Sequence, residues 1–361
     1  MKYTLLTTLF LIGTFFSQAQ EEKKEINSGI VSGLSFRSVG PALTSGRIAD
    51  LAVNPNNTSE YYVAVASGGV WKTTNHGTTY NPIFDSEGSY SIGCVTIDPN
   101  NANTIWVGTG ENNNQRSVAY GDGVYKSVNG GKSWKNMGLK DSEHISKVIV
   151  DPRNSDVIYV AAYGPLWSAG GERGVYKSVD GGENWERIHH VSENTGTADL
   201  VMDPDNPDVL YAADHQRRRH VFTYIGGGEE SSLYKTEDGG KTWKETVNGL
   251  PKGKMGRIGL AVSPVNSNYV YAIVEAEDGK HGFYRSTNKG LNWSKRSSYK
   301  TSGNYYQEII CDPKDVDKVF SMSTWLHHTE DGGKTFKRTG EKGKHVDNHC
   351  IWINPEDTDH W

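Results

Sequence analysis

Four carboxylates of this 361-residue chain, Glu111, Asp122, Asp214 and Glu275, stand at or near the ends of short apolar, strand-like runs. Two such groups held roughly 5 to 9.5 Å apart across a cleft, one with a raised pKa, could hydrolyse a glycosidic bond. Around them lie side chains suited to gripping a sugar or a peptide: Arg47, Asn113, Arg116, Tyr120, Trp167, Arg173, His215, Arg217, Arg218, Arg219 and Arg257. Aromatic rings stack on the apolar faces of sugars, while amides and charged groups take the hydroxyls. The run Arg217 to Arg219 could clamp a carboxylate, a sulfate or a peptide C-terminus through bidentate contacts. Equally, the three arginines could pair with Glu229, Glu230 or Asp214 on a solvated loop. A last cluster is His345, Asp347 and His349. In an extended strand the three share one face and could ligate a metal, but a loop there would break the alternation. No further ligand is fixed by the sequence, so these are read as hydrogen-bonded residues, and no cofactor is expected.

What positions these residues is a repeat. Ser or Thr is followed after two residues by Asp or Asn, after two more by Gly, and after three more by an aromatic; this occurs six times, starting at Thr73, Ser127, Ser178, Thr236, Ser286 and Thr329. The starts are 54, 51, 58, 50 and 43 residues apart, the period of a four-stranded propeller blade. Asn75, Asn129, Asp180, Asp238, Asn288 and Asp331 can each accept hydrogen bonds from the following backbone N–H groups and close a turn. The aromatic, from Tyr80 to Phe336, then opens the next strand and covers the turn. A second signal, Asp, Asn or Ser before Pro, leads each box and recurs a seventh time at Asn354-Pro355. It turns the chain from an inner strand into a second strand such as Val157–Ala162.

The expectation is an all-β chain: a β-propeller of four-stranded blades, six complete and a seventh begun at His349–Asn354 and cut off at its C-terminal end. A segment around Leu34-Ser35-Phe36-Arg37 is the alternative means of completing the last sheet. Residues 1–19 read as a signal peptide, with Lys2, an apolar run from Leu5 to Phe16, and Ser17-Gln18-Ala19 before the cut. Residues 20–31 read as a linker and 32–361 as the partial propeller. Secretion to the periplasm or beyond follows. No later stretch is apolar enough to insert in a membrane. A net charge of -5 with both signs dispersed gives no reason to expect nucleic acid as a partner. Cys94, Cys311 and Cys350 read as free thiols of inner strands rather than a disulfide framework.

The boxes resemble the Asp-box, or bacterial neuraminidase, repeat from about Ser32 to the end. More narrowly, Gly108–Asn113, Asp199–Pro204 and Gln216–Arg219 resemble the N-terminal half of large secreted bacterial sortilin-type or "glycosyl hydrolase" repeat proteins. That resemblance implies boxes on the face opposite a binding mouth, and further domains in a longer chain. The leading expectation is a recognition propeller that binds a peptide or glycan at a mouth formed by long loops of blades two to five. The alternative is a glycoside hydrolase, sialidase-like or xyloglucanase-like, with its carboxylates in the same mouth. Arg47-Ile48-Ala49 lacks the proline of a sialidase strand, and Val65–Trp71 lacks the carboxylate of a xyloglucanase. Fold alone does not choose among these activities.

Overall fold

Period-two alternation with β-branched and aromatic residues, broken every few residues by Gly, Asn-Pro or Asp-Pro, leaves this chain little but short antiparallel strands to form. The computed structural model describes residues 27–30, 32–34 and 46–361. The expected signal peptide, residues 20–26 and 31 of the linker and Ser35–Arg37 of the alternative closing segment lie outside them. One compact unit runs from Ser45 to Trp361. It contains six sheets of four consecutive antiparallel strands in a ring, a six-bladed β-propeller with one short 3-10 turn at Lys140–Ser142. The inner strands are Ile48–Val53, Ile92–Asp98, Ile145–Asp151, Thr195–Met202, Met255–Val262 and Ile309–Cys311. Blade three shows the plan: Ile145–Asp151, Asn154–Ala162, Gly174–Ser178 and Glu186–His189 pair in order. In blade four the second strand, Leu210–Arg219, overshoots its sheet and pairs beyond it with Tyr224–Gly226.

The boxes act as staples. In blade four Thr236 Oγ1 donates to Asp238 Oδ1 at 2.8 Å and accepts the Gly240 N–H at 3.0 Å, while Asp238 Oδ1 accepts the Thr242 N–H at 2.9 Å. The other five repeat these contacts. Each box turn also donates an N–H to the first-to-second-strand turn of its own blade, as from Gly181 to the Asp156 carbonyl at 3.0 Å and from Gly332 to that of Asp317 at 2.9 Å. All six boxes therefore lie at one end of the ring. The box aromatics do more than cover their own turns. The indole N–H groups of Trp134, Trp185 and Trp293 reach back to carbonyls of Ile83, Met137 and Thr246 at the outer strand of the preceding blade, 2.7 to 2.9 Å away. In the other direction Lys72, Lys126 and Lys177 each lie over an aromatic ring of their own blade and donate to a glycine carbonyl in the next box.

The core is consequently interfacial, lying between sheets rather than inside one. Separate apolar clusters join blades one and two, two and three, three and four, four and five, and five and six. Near the axis polar side chains stitch inner strands together: Asp50 accepts the Val95 N–H at 3.1 Å, Thr96 donates to the Val148 carbonyl at 2.8 Å, and Asp199 accepts the Leu260 N–H at 3.0 Å. Inner strands approach so closely that a Cβ at Gly259 would overlap the Gln307 carbonyl oxygen of blade six. That neighbour is backbone and cannot move aside, so Gly259→Ala should destabilise the chain by about 1–3 kcal/mol or more, read as a lower denaturant midpoint. Cys94 and Cys311 are buried free thiols in inner strands, whereas Cys350 is partly exposed in a segment with no ladder partner. No helix among the described residues is long and apolar enough to cross a membrane.

Candidate functional site

Since the first-to-second and third-to-fourth turns share the box end, the opposite end gathers the second-to-third loops and the connections between blades. The long loops of blades two, three and four all emerge there. The loop of blade two does not frame an opening; it lies across it. Its Asn114 N–H donates to the Asn304 carbonyl between blades five and six at 3.0 Å, and its side-chain amide reaches the Gly303 carbonyl at 3.4 Å. From blade four the Arg217 guanidinium donates to the Asn113 carbonyl at 3.0 Å, to Asn114 Oδ1 at 2.8 Å and to the Gly164 carbonyl at 2.8 Å. Arg219 adds a bond to the Asn114 carbonyl at 2.6 Å. Glu111, at the root of the loop, pairs with Arg47 of blade one and accepts from the Asn113 amide, while its carbonyl meets His144 Nδ1 at 2.8 Å. A segment bonded to partners on blade one, blade three, blade four and the five–six connection must sit over the axis. It plugs the mouth.

The plug consumes many of the side chains that the sequence offers for binding. Arg217, Arg173 and His215 are fully buried, and Asn113 and Arg257 nearly so. Arg173 donates to four main-chain oxygens within its own loop, at Tyr163, Pro165, Ser168 and Gly170. Arg217 also lies 3.3 Å from the centre of the Tyr163 ring. Burial pulls its guanidinium down to about 10, still far above neutrality, so a charge stays inside on carbonyls and a π face. Arg257 pairs with Glu308 at 2.6 Å on the channel wall. Arg218 points outward to Asn194 at 2.6 Å, so neither sequence reading of the triplet describes its first and last members. Of the remaining candidates, Arg47 is partly exposed, and Arg116, Tyr120 and Trp167 are exposed, Tyr120 by 72% and Trp167 by 46%. Tyr90, Phe222, Tyr305 and Trp325 share this end and were not singled out from the sequence, because loop aromatics carry no spacing signal. The outer face of the plugged mouth thus presents spaced rings among polar groups.

The four candidate acids separate by environment. Asp214 is buried against His189 Nε2 at 2.5 Å and Thr197 Oγ1 at 2.7 Å. Glu111 is buried in the plug, and Asp122 accepts the Tyr125 hydroxyl at 2.6 Å. Glu275 remains partly exposed, with no side-chain partner and a weak bond from the Arg257 N–H at 3.3 Å. Burial raises its pKa, partly offset by that N–H and the Arg257 charge. A Cβ on Gly256 or Gly303 would occupy the space of this carboxyl, so two glycines make room for it beside the plug. Sequence reasoning missed Glu143, whose carboxyl is likewise raised by burial against the pull of Arg173 and Arg217. It sits on the same face with a left-handed backbone, φ 55°, a conformation costly for a non-glycine residue.

The metal reading of His345, Asp347 and His349 fails on geometry. Asp347 has φ 72°, which ends any extended run, and it accepts the Tyr306 hydroxyl. His345 is exposed, whereas His349 is buried against Tyr305 and Tyr306. Among the described residues no three metal-ligating side chains converge.

Beneath the plug runs a central cavity of about 500 Å³. Asp50, Lys147, Asp199, Glu308 and His349 line it. Burial works against the Lys147 ammonium, but Asp199 and Asp50 beside it prevail and raise its pKa. The channel therefore carries its own counter-charges. Close to the plug, His215 bonds the Tyr163 hydroxyl at 2.5 Å, and burial followed by the Arg217 charge lowers it from 6.5 to about 3. Between those two pH values the unfolded chain binds a proton that the folded chain refuses. Stability therefore falls as pH drops through that window and is fully kept above it. Denaturant midpoints measured from pH 7.5 to 4 should decline, by at most about 1.4 kcal/mol per pH unit for this one group, and His215→Gln should flatten the decline.

Comparison with known proteins agrees with this architecture. The family model described as "Sortilin, neurotensin receptor 3" matches residues 122–250. A probable oligoxyloglucan-reducing end-specific xyloglucanase of Neosartorya fischeri is 24% identical over 315 residues, 74% of this chain and 35% of that protein. A xyloglucanase of Hypocrea jecorina is 28% identical over 190 residues, 51% of this chain and 21% of that protein. The chain thus spans about a third or less of these relatives. Among solved structures, an ancestral GH74 enzyme superposes with a TM-score of 0.58 at 23% identity, covering 78% of this chain and 36% of that one. The chain is an Asp-box β-propeller similar to those of sortilin-type and glycoside hydrolase repeat proteins.

Proposed function

We propose that this propeller handles a branched β-glucan of the xyloglucan kind, as one unit of a secreted glycoside hydrolase, and that the sugar lies across the outer face of the plugged mouth. The observation that carries the reading is the similarity to two xyloglucanases, one of them over three quarters of the chain. The exposed rings of Tyr120 in the blade-two loop and Trp167 in the blade-three loop, with exposed Arg116 at the same end, supply the stacking and hydrogen-bonding mixture that a pyranose chain needs. Glu275 is the group best suited to act as general acid, because burial holds its proton to higher pH while it stays accessible. Arg257 and the two flanking glycines hold that carboxyl in place. Export through the signal peptide over residues 1–19 and further domains in a longer polypeptide belong to the same proposal.

Recognition without hydrolysis is the second reading, favoured by the loss of Glu111 and Asp214 to internal partners. Incubation with xyloglucan and its oligosaccharides, scored for binding and for reducing ends, tests both. Saturable binding is expected; cleavage, which needs a second carboxyl across the cleft from Glu275, would disappear in Glu275→Gln while binding persists. Binding with no cleavage in either chain selects the recognition reading. A chain that binds peptides but no glycan overturns the carbohydrate assignment.

A further inference from the structure

The loops at the mouth end are unevenly charged. Among the described residues as far as the outer strand of blade four, those loops carry a single lysine, Lys140. Blade five then brings five lysines together, all exposed: Lys252 and Lys254 on the way into its inner strand, Lys280 in its second-to-third turn, Lys295 on its outer strand and Lys300 just beyond.

The backbone gathers them. The Lys254 N–H donates to a Glu277 carboxylate oxygen at 3.1 Å, and the Glu277 N–H returns to the Lys254 carbonyl at 3.3 Å, which clamps the connection between blades four and five onto the turn. The turn itself closes where the Lys280 N–H meets the Glu277 carbonyl at 3.0 Å, with Asp278 left-handed at φ 55°. The Lys280 ammonium then reaches the Lys252 carbonyl at 3.3 Å, and the Lys295 ammonium reaches the Lys280 carbonyl at 3.4 Å. His281 stands among them, held below the usual histidine range by burial and then by the Lys300 and Lys295 charges.

Carboxylates do not neutralise the group. Asp278 meets Lys280 at 3.4 Å, and among the described residues that is the one ion pair the five lysines make. One Glu277 oxygen is spent on the clamp, and Glu275 keeps its proton to higher pH through burial. Like charges left together repel, so in a chain of net charge -5 their gathering at one place calls for an anionic partner. No exposed ring lies among them: Tyr284 is buried, and Tyr299 is stacked on Phe336. The patch thus lacks the rings on which single-stranded nucleic acid stacks and the apolar side chains that enter a lipid surface. Lysines act as separate point charges, matched to single, spaced carboxylates.

We propose that these five lysines bind an acidic polysaccharide through its uronate carboxylates, at the blade-five edge of the mouth. This goes beyond the neutral β-glucan reading, which rests on rings in the loops of blades two and three, and it stands or falls apart from that reading.

Calorimetric titration with oligogalacturonate at low salt and at about 0.15 M salt tests it. The parent chain should bind saturably at low salt and at least about tenfold more weakly at the higher. Lys252→Gln/Lys280→Gln/Lys295→Gln should lower the low-salt affinity at least about tenfold. Lys132→Gln/Lys241→Gln/Lys334→Gln, the same charge change at exposed positions of the box turns, should leave it within about twofold. Exposed and without a side-chain hydrogen bond among the described residues, Lys254 and Lys300 supply a further variant, Lys254→Gln/Lys300→Gln, which should bind severalfold more weakly with an unchanged denaturant midpoint. Three results would overturn the proposal: no oligogalacturonate binding by the folded parent, an equal loss in the box-turn variant, or oligothymidylate or phosphatidylglycerol vesicles bound as tightly as the uronate. A chain that binds oligogalacturonate but no xyloglucan supports the proposal and sinks only the β-glucan reading.

Discussion

Arg217→Ala should lower the stability of the chain by on the order of 3–5 kcal/mol, while Arg218→Ala next to it should change it by less than about 0.5 kcal/mol. Removing the Arg217 side chain strands the carbonyls of Asn113 and Gly164 and the Asn114 amide oxygen in a site that water does not reach. Each orphaned acceptor costs about 1–3 kcal/mol, and the guanidinium also leaves a void over the Tyr163 ring. Arg217→Lys should rescue little, because an ammonium cannot present a planar fork to three acceptors. Arg218, partly exposed, bonds Asn194 at the surface, and its truncation strands no buried acceptor. Guanidinium denaturation midpoints of the three variants check this. Equal sensitivity of Arg217 and Arg218 would mean that the blade-two loop is not held as a plug.

Tyr120→Ala combined with Trp167→Ala should weaken xyloglucan oligosaccharide binding at least tenfold, a loss of about 1.4 kcal/mol or more, and leave the denaturant midpoint within about 0.5 kcal/mol of the parent. Tyr120 stands largely in solvent and Trp167 nearly half so, and neither belongs to an apolar cluster between blades, so removing them takes little from the core. What they offer a sugar is flat apolar area beside the polar groups of the plug. By contrast Lys147→Met should leave the affinity unchanged, since the cavity that Lys147 lines is closed from the mouth side by the blade-two loop. This contrast separates binding on the plug from threading of the channel.

The fold was legible because each blade repeats its instructions. Thr236, Asp238 and Gly240 are bonded to one another locally, so a spacing rule contains the whole staple, and six copies give the ring. The site was legible only as a set of loops. Arg217 looks the same in sequence as Arg218, and what separates them is the pleat of an overshooting strand that turns one inward and the other outward. Nothing in the local sequence says that Asn114 will meet Asn304, 190 residues away, since that contact exists only when the ring brings blade two opposite the five–six connection. His345, Asp347 and His349 illustrate the converse failure. Their spacing suits a strand, but the backbone at Asp347 is left-handed and the face dissolves. Glu143 carried no signal at all, lying in a short connection after the 3-10 turn rather than in a long loop.

The proposed function puts the sugar on the outside of the plugged mouth, against exposed aromatic side chains. Calorimetric titration of a xyloglucan oligosaccharide into the parent chain, the Tyr120→Ala/Trp167→Ala chain and the Lys147→Met chain tests it most directly. Saturable binding in the parent and the Lys147 variant, lost in the aromatic double variant, is the predicted result. Binding that survives in the double variant and vanishes with Lys147→Met would place the sugar in the channel instead.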